Sequence, residues 1–282
     1  MPAKKIFAVL GMLSCFSAIS LAQSVFDDIQ LYSYLSINEA GSLQISSNIA
    51  MSISFPSFLN KNFIIGSNLP VFISGASIHS GFQFFGSTVS FAGSNGFSLK
   101  NFVSIEGGAI RTDNSNLSSS GIYFSTNSAY SGGAVYTKFS TATVYSSSFV
   151  WNASSYAGGA FYAYDSNSKI SDSVFNFNSA TNFGGAVYIE KGVFSFSRVH
   201  FSSNAADIAG SAVYVLSSSG SFNSSTISNG LSNCAALYAS SSAVSLYNVK
   251  LHSNEALTSG GAAFITDSIF LFWNSNAAGN KA

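Results

Sequence analysis

The sequence predicts an all-β fold, a single-stranded right-handed parallel β-helix that closes one coil every 25 to 26 residues. Three observations carry this prediction. A glycine motif recurs at near-constant spacing, a second motif ending in asparagine keeps step with it, and the positions between them alternate apolar and polar as in short strands. The 282 residues, 47% of them apolar, suffice for one large domain or one long repeat array.

The glycine motif reads GGAI at Gly107, GGAVY at Gly132, GGAFY at Gly158, GGAVY at Gly184, GSAVY at Gly210, CAALY at Cys234 and GGAAF at Gly260. Copies lie 24 to 26 residues apart, a period that signals stacked structural units. The second motif is FSTN at Phe124, FVWN at Phe149, FNFN at Phe175, FSSN at Phe201 and LHSN at Leu251, each 17 residues after its glycine motif. The fifth rung keeps an apolar residue at Ile227 but has Gly230 for the asparagine, and the seventh is read as WNSN at Trp273, four residues early. A propeller blade needs a longer period, and a sandwich would not keep one residue type in one column through so many copies.

Alternation within the repeat assigns faces. The motif's fourth and sixth positions, such as Val135 and Thr137, point inward, and the fifth and seventh point outward. Further inward columns run through Val144, Ile170, Phe196, Phe222 and Leu246, and through Phe149, Phe175, Phe201, Ile227 and Leu251. Each coil therefore holds about three short strands, separated by Ser, Asn, Asp and Gly, which suit turns. Only three prolines occur, consistent with ladders that need every N–H. Stacking places like residues above one another at ~4.8 Å, so Asn127, Asn152, Asn178, Asn204 and Asn254 form a structural amide ladder. Residues 23–100 lack the motifs but carry β runs such as FIIG and STVSF, which read as irregular N-terminal coils and a cap. Residues 101–282 are the regular repeats, and the expectation is either that further sequence continues them or that the chain self-associates end to end.

Residues 1–22 read as a signal peptide: Lys4 and Lys5, an apolar run from Ile6 to Leu21, and small residues at Ser20 and Ala22. The mature chain then keeps 9 basic and 11 acidic residues and a single cysteine, Cys234, so no disulfide framework is expected. Charged residues make up only 8% of the chain and the basic ones are scattered, which argues against a nucleic-acid partner.

Paired GGA[ILV] and FxxN motifs, repeated over about residues 97 to 276, resemble the passenger domains of chlamydial-type polymorphic outer-membrane proteins. Strict matches are Gly107–Ile110, Gly132–Val135 and Gly184–Val187 for the first motif, and Phe124–Asn127, Phe149–Asn152, Phe175–Asn178 and Phe201–Asn204 for the second. The resemblance implies a secreted or surface-displayed β-helix acting in adhesion. That family's C-terminal autotransporter barrel has no counterpart in the sequence, so anchoring in the outer membrane is expected only through a further C-terminal segment.

Pectin-lyase-like solenoids also host polysaccharide lyases and hydrolases, which makes a carbohydrate-processing enzyme the alternative reading. Such chemistry needs two nearby carboxyls, or clustered Asp ligands with a base. Here only Asp27 and Asp28 are adjacent, and His79, His200 and His252 occupy different columns. No catalytic residue, metal site or cofactor is therefore predicted, and the expected function is non-catalytic recognition of host-cell or wall glycans, or of surface proteins. The candidate binding stripe is the fifth motif position, Tyr136, Tyr162, Tyr188, Tyr214, Tyr238 and Phe264, expected to face outward and offer its rings for stacking. Two contacts between repeats and copies complete the reading. Asp172 and Arg198, at equal offsets in successive repeats, should meet on adjacent coils, and the last coil is expected to be an unprotected edge open to end-to-end self-association.

Overall fold

The structure is a computed structural model that describes residues 23–25, 27–94 and 96–282; the expected signal peptide lies outside them. It is an all-β solenoid of about 9 turns with ~26 residues per coil, whose strands pair in parallel in four sheets of 11, 10, 9 and 7 strands.

One coil shows how the sequence closes. Val135–Lys138 lies in the nine-stranded sheet, Thr141–Tyr145 in the eleven-stranded, Ser148–Val150 in the ten-stranded and Ala153–Ala157 in the seven-stranded. There are thus four strands per coil where the sequence reading expected about three. The fourth was missed because its residues, ASSYA in this coil and AADIA at Ala205–Ala209, are mostly small and lack the large inward residue that marks the others.

Each corner turns through one residue in the left-handed region, φ 64° at Gly132, 48° at Phe139, 45° at Ser146 and 58° at Trp151. The first corner demands its glycine pair for a second reason. A Cβ on Gly133 would overlap the carbonyl oxygen of Gly159 on the next coil. Cys234 departs from its expected place: it pairs with Ala209, Ala235 takes the left-handed corner at φ 53°, and the second glycine is deleted. The seventh rung is also corrected, because Ala277 pairs with Leu251 and Asn280 continues the asparagine column at the regular offset.

The core is a continuous stack of the inward columns, with Val144, Phe149, Phe161, Ile170, Phe175 and Phe196 fully buried. Phe124, Phe149, Phe175 and Phe201 stack face to face at centroid distances of 4.6, 4.4 and 5.1 Å. One end is closed by the helix Asp28–Ile37, which Asp27 caps by accepting from the Gln30 N–H. Its Leu31 and Leu35 are buried, and Tyr34 lies against Phe63 of the first coils.

Buried polar columns fix the register. Asn127, Asn152 and Asn178 each donate Nδ2–H to the Oδ1 of the next asparagine at 3.0 Å, and that oxygen also accepts the backbone N–H of the asparagine below. A second ladder, of serines, was not anticipated. The N–H groups of Ser87, Ser115 and Ser140 donate to the hydroxyls of Ser115, Ser140 and Ser166 in turn. Both columns follow a left-handed corner and satisfy backbone donors that the turn takes out of the strand ladders.

Candidate functional site

The outward face of the nine-stranded sheet carries the tyrosine column. Tyr136, Tyr162, Tyr188, Tyr214, Tyr238 and Phe264 stack in register with centroid distances of 5.1, 4.8, 5.2, 4.7 and 5.4 Å and interplanar angles of 7° to 14°. This geometry corrects the expected exposure. The rings from Tyr162 to Tyr238 each spend both faces on ring neighbours, so only their edges remain for a ligand. Tyr136, Tyr162 and Tyr188 are also buried, at 7%, 7% and 3% exposure, while Tyr214, Tyr238 and Phe264 are half-buried.

What covers the column comes from the neighbouring sheet. Tyr156 and Phe183 pack against it, with Phe183 4.9 Å from Tyr214, and Tyr130 stacks on Tyr156 at 5.2 Å. Sequence reasoning overlooked these rings, although Tyr130 and Tyr156 share one position, two residues before the glycine motif.

Carboxylates close the hydroxyl side of the column. Glu190 accepts from Tyr162 at 3.2 Å and from Tyr188 at 3.5 Å, while Glu106 pairs with Arg111 at 2.9 Å. Burial, reinforced by these acids, pushes Tyr136, Tyr162 and Tyr188 far above the ordinary phenol value, and burial takes Tyr214 up to about 12. The tyrosines are therefore neutral donors at any physiological pH. Burial also pushes the nearby Cys234 thiol up, which keeps it protonated and weakly nucleophilic.

The seven-stranded sheet presents a different surface. Its outward residues include Ile105, Tyr130, Leu231 and Leu257, exposed by 77%, 53%, 50% and 66%. The eleven-stranded sheet presents polar residues outward in strands such as Asn116–Ser120 and exposes Ile269, Leu271 and Trp273 in its last strand.

Elsewhere the acids engage bases singly. Arg198 grips Asp172 on the adjacent coil, as the equal offsets required, and Lys61 holds Glu39 at 3.1 Å. Among the described residues no group of three or more His, Cys, Asp and Glu could hold a metal ion.

The strand Val135–Lys138, which carries Tyr136, also completes one full motif pair: Phe124 to Asn127 on one corner and Gly132 to Tyr136 on the next. Residues 121–138 match the Chlamydia polymorphic membrane protein (Chlamydia_PMP) repeat. No curated protein matches the chain. The matched stretch contains both motifs of the polymorphic membrane protein repeat in the order the fold uses them, with Phe124 in the core, Asn127 in the ladder, Gly132 at the corner and Tyr136 in the outer column. That family is one of outer-membrane and surface proteins. Among the described residues no helix is long and apolar enough to cross a membrane.

Proposed function

We propose that the chain is a non-catalytic secreted or cell-surface β-helix that acts in adhesion and recognises its partner through the seven-stranded sheet and its aromatic border. The observation that carries this reading is the exposed apolar side chains of the seven-stranded sheet, Ile105 beside Tyr130 on adjacent coils and, four coils on, Leu231 near Leu257 on adjacent coils, on a solenoid that contains a polymorphic membrane protein repeat. Exposed apolar clusters mark interaction sites. Tyr130, flat, half-exposed and braced by Tyr156, has the character of an interface anchor. The repeat family is not known for enzymes, and the carboxylates that pair here do so with bases rather than with one another. Stacked and covered rings in the tyrosine column move the expected contact from sugar stacking there to a protein surface on the seven-stranded sheet.

Binding of the purified chain to host cells and to wall glycans tests the proposal. Tyr130→Ser combined with Leu231→Ser should lower cell binding by about tenfold or more, the scale of losing interface anchors, with unchanged circular dichroism. Undiminished binding by that variant, or turnover of pectin or alginate by the native chain, would sink it.

A further inference from the structure

The strand Ile269–Trp273 departs from the column rule that governs the rest of its sheet. It is the outermost member of the eleven-stranded sheet and reads IFLFW, apolar on both faces. Register places Leu271 outward over Ser245, Ser221, Ser195, Lys169, Thr143 and Ser118, so six successive coils put a hydroxyl or an ammonium where this strand puts a leucine. Ile269, Leu271 and Trp273 are exposed, and so is inward Phe272, whereas Leu246 beneath it is fully buried. Natural outer strands are blunted by charge, proline or a bulge, and this one carries none of the three.

Reversal leaves the pattern of the strand unchanged. Leu271 is its centre, and in either direction the order is apolar, Phe, Leu, Phe, apolar. Pairing two such strands antiparallel about Leu271 sets Leu271 opposite Leu271, Ile269 opposite Trp273 on the outward face, and Phe270 opposite Phe272 on the inward face. The coil around the strand has the same symmetry. Two-residue corners flank it, with φ 48° at Asp267 and 45° at Asn274, and the strands Ala263–Thr266 and Asn276–Ala278 lie on either side. The same reversal brings Ile265, inward above Ala239, over Ala277, inward above Leu251, so core meets core around the coil.

We propose that two copies of the chain join through this coil, edge to edge about a two-fold axis through Leu271, so that their eleven-stranded sheets become one. The contact is isologous, which closes at two. The helix Asp28–Ile37 covers the opposite end of the stack, so the dimer does not extend into a fibre. Across the coil from the eleven-stranded sheet lies the seven-stranded one, and the axis presents both copies of it on the same side. A partner that binds one would then meet two at once, with the gain of bivalence. The pairing stands or falls independently of what that sheet binds.

Sedimentation of the purified chain over a concentration series tests the proposal, with dimer expected at micromolar concentration and nothing larger. Leu271→Lys is the informative variant, because Lys169 already occupies the same outward column and the fold accepts it. It sets two ammonium groups side by side on the axis and should raise the dissociation constant at least about tenfold at an unchanged melting temperature. Single cysteines, in a background of Cys15→Ser and Cys234→Ser, read the register. Leu271→Cys should form a disulfide between copies under mild oxidation, since residues opposed in an antiparallel pair lie within disulfide reach. Ile269→Cys alone should not, because a four-residue offset holds its two copies about 13 Å apart, but a mixture with Trp273→Cys should. A monomer at every concentration, species that keep growing with concentration, an undiminished dimer in Leu271→Lys, or equal cross-linking of Ile269→Cys alone would each overturn it.

Discussion

A Cβ on Gly230 would overlap Ser211 Oγ: the place left empty by the missing asparagine is taken by the serine that replaces the second glycine of its motif. In the preceding coils Gly133 and Gly159 have no room for a side chain beneath the next coil's carbonyl. Above Ser211 that residue is deleted, and the side chain fits. Two departures from the repeat thus compensate each other. Gly230→Asn alone should destabilise by about 2 kcal/mol through overpacking. Adding Ser211→Gly should recover at least about 1 kcal/mol, because the two sites share one space. Denaturation midpoints of the four proteins in a double-mutant cycle check this, and simple additivity would contradict it.

The asparagine ladder should be strong in the middle and weak at its end. Asn178 Oδ1 accepts from the N–H and Nδ2–H of Asn152, and its own Nδ2–H donates to Phe149 O at 3.0 Å, all buried. Asn178→Ala leaves several buried groups unpaired and should cost about 3 kcal/mol or more. Asn280→Ala, in a partly exposed rung, should cost about 1 kcal/mol or less. Equal losses in urea titrations would mean that the ladder is not the source.

The Arg198–Asp172 pair predicts a pH signature rather than a stability effect. Nε and Nη2 meet the two carboxylate oxygens at 2.6 and 2.8 Å, and the hydrogen bonds hold the Asp172 pKa below the ordinary value. Since the folded value is depressed, any stabilisation is present above the unfolded value of ~3.9 and is lost as pH falls through the lower folded one. The pair is exposed, so Arg198→Ala should barely move the melting temperature at neutral pH. It should, however, return the NMR titration midpoint of Asp172 to the usual carboxylate range.

The buried tyrosines predict alkaline unfolding. Their folded pKa values are raised, so the folded state keeps protons that the unfolded state releases above ~10, and stability falls as pH climbs beyond that point. Tyrosinate absorbance should therefore rise in step with loss of β-structure. Tyr162→Phe with Tyr188→Phe should move that transition to higher pH. Early ionisation of the native column would contradict the burial.

The fold was legible because stacking forces like residues into columns: the phenylalanines, alanines and asparagines repeat where one coil touches the next. Those columns also identified the Asp172–Arg198 contact from offset alone. The fourth strand was hidden by small residues that carry no periodic apolar signal. At the site, alternation correctly placed Tyr162 outside the main core but could not show that Tyr156 and Phe183, on another sheet, fold over it. The serine ladder was equally hidden, because a serine after a turn reads as solvent-facing until its Oγ is seen to accept the N–H below.

The helix Asp28–Ile37 seals one end of a stack in which each coil touches only its neighbours. Mechanically, that makes the molecule a zipper with one fixed stop. Pulled from its C-terminal side, it should peel coil by coil, each event freeing about 90 Å of chain, the contour of ~26 residues. A stack tethered this way would dissipate shear in successive, nearly equal steps over the regular coils, with a shorter step where Ala235 directly follows Cys234 at the corner and a longer one between Thr88 and Asn116. Single-molecule extension would display those teeth as interruptions in an otherwise even stretch of the trace.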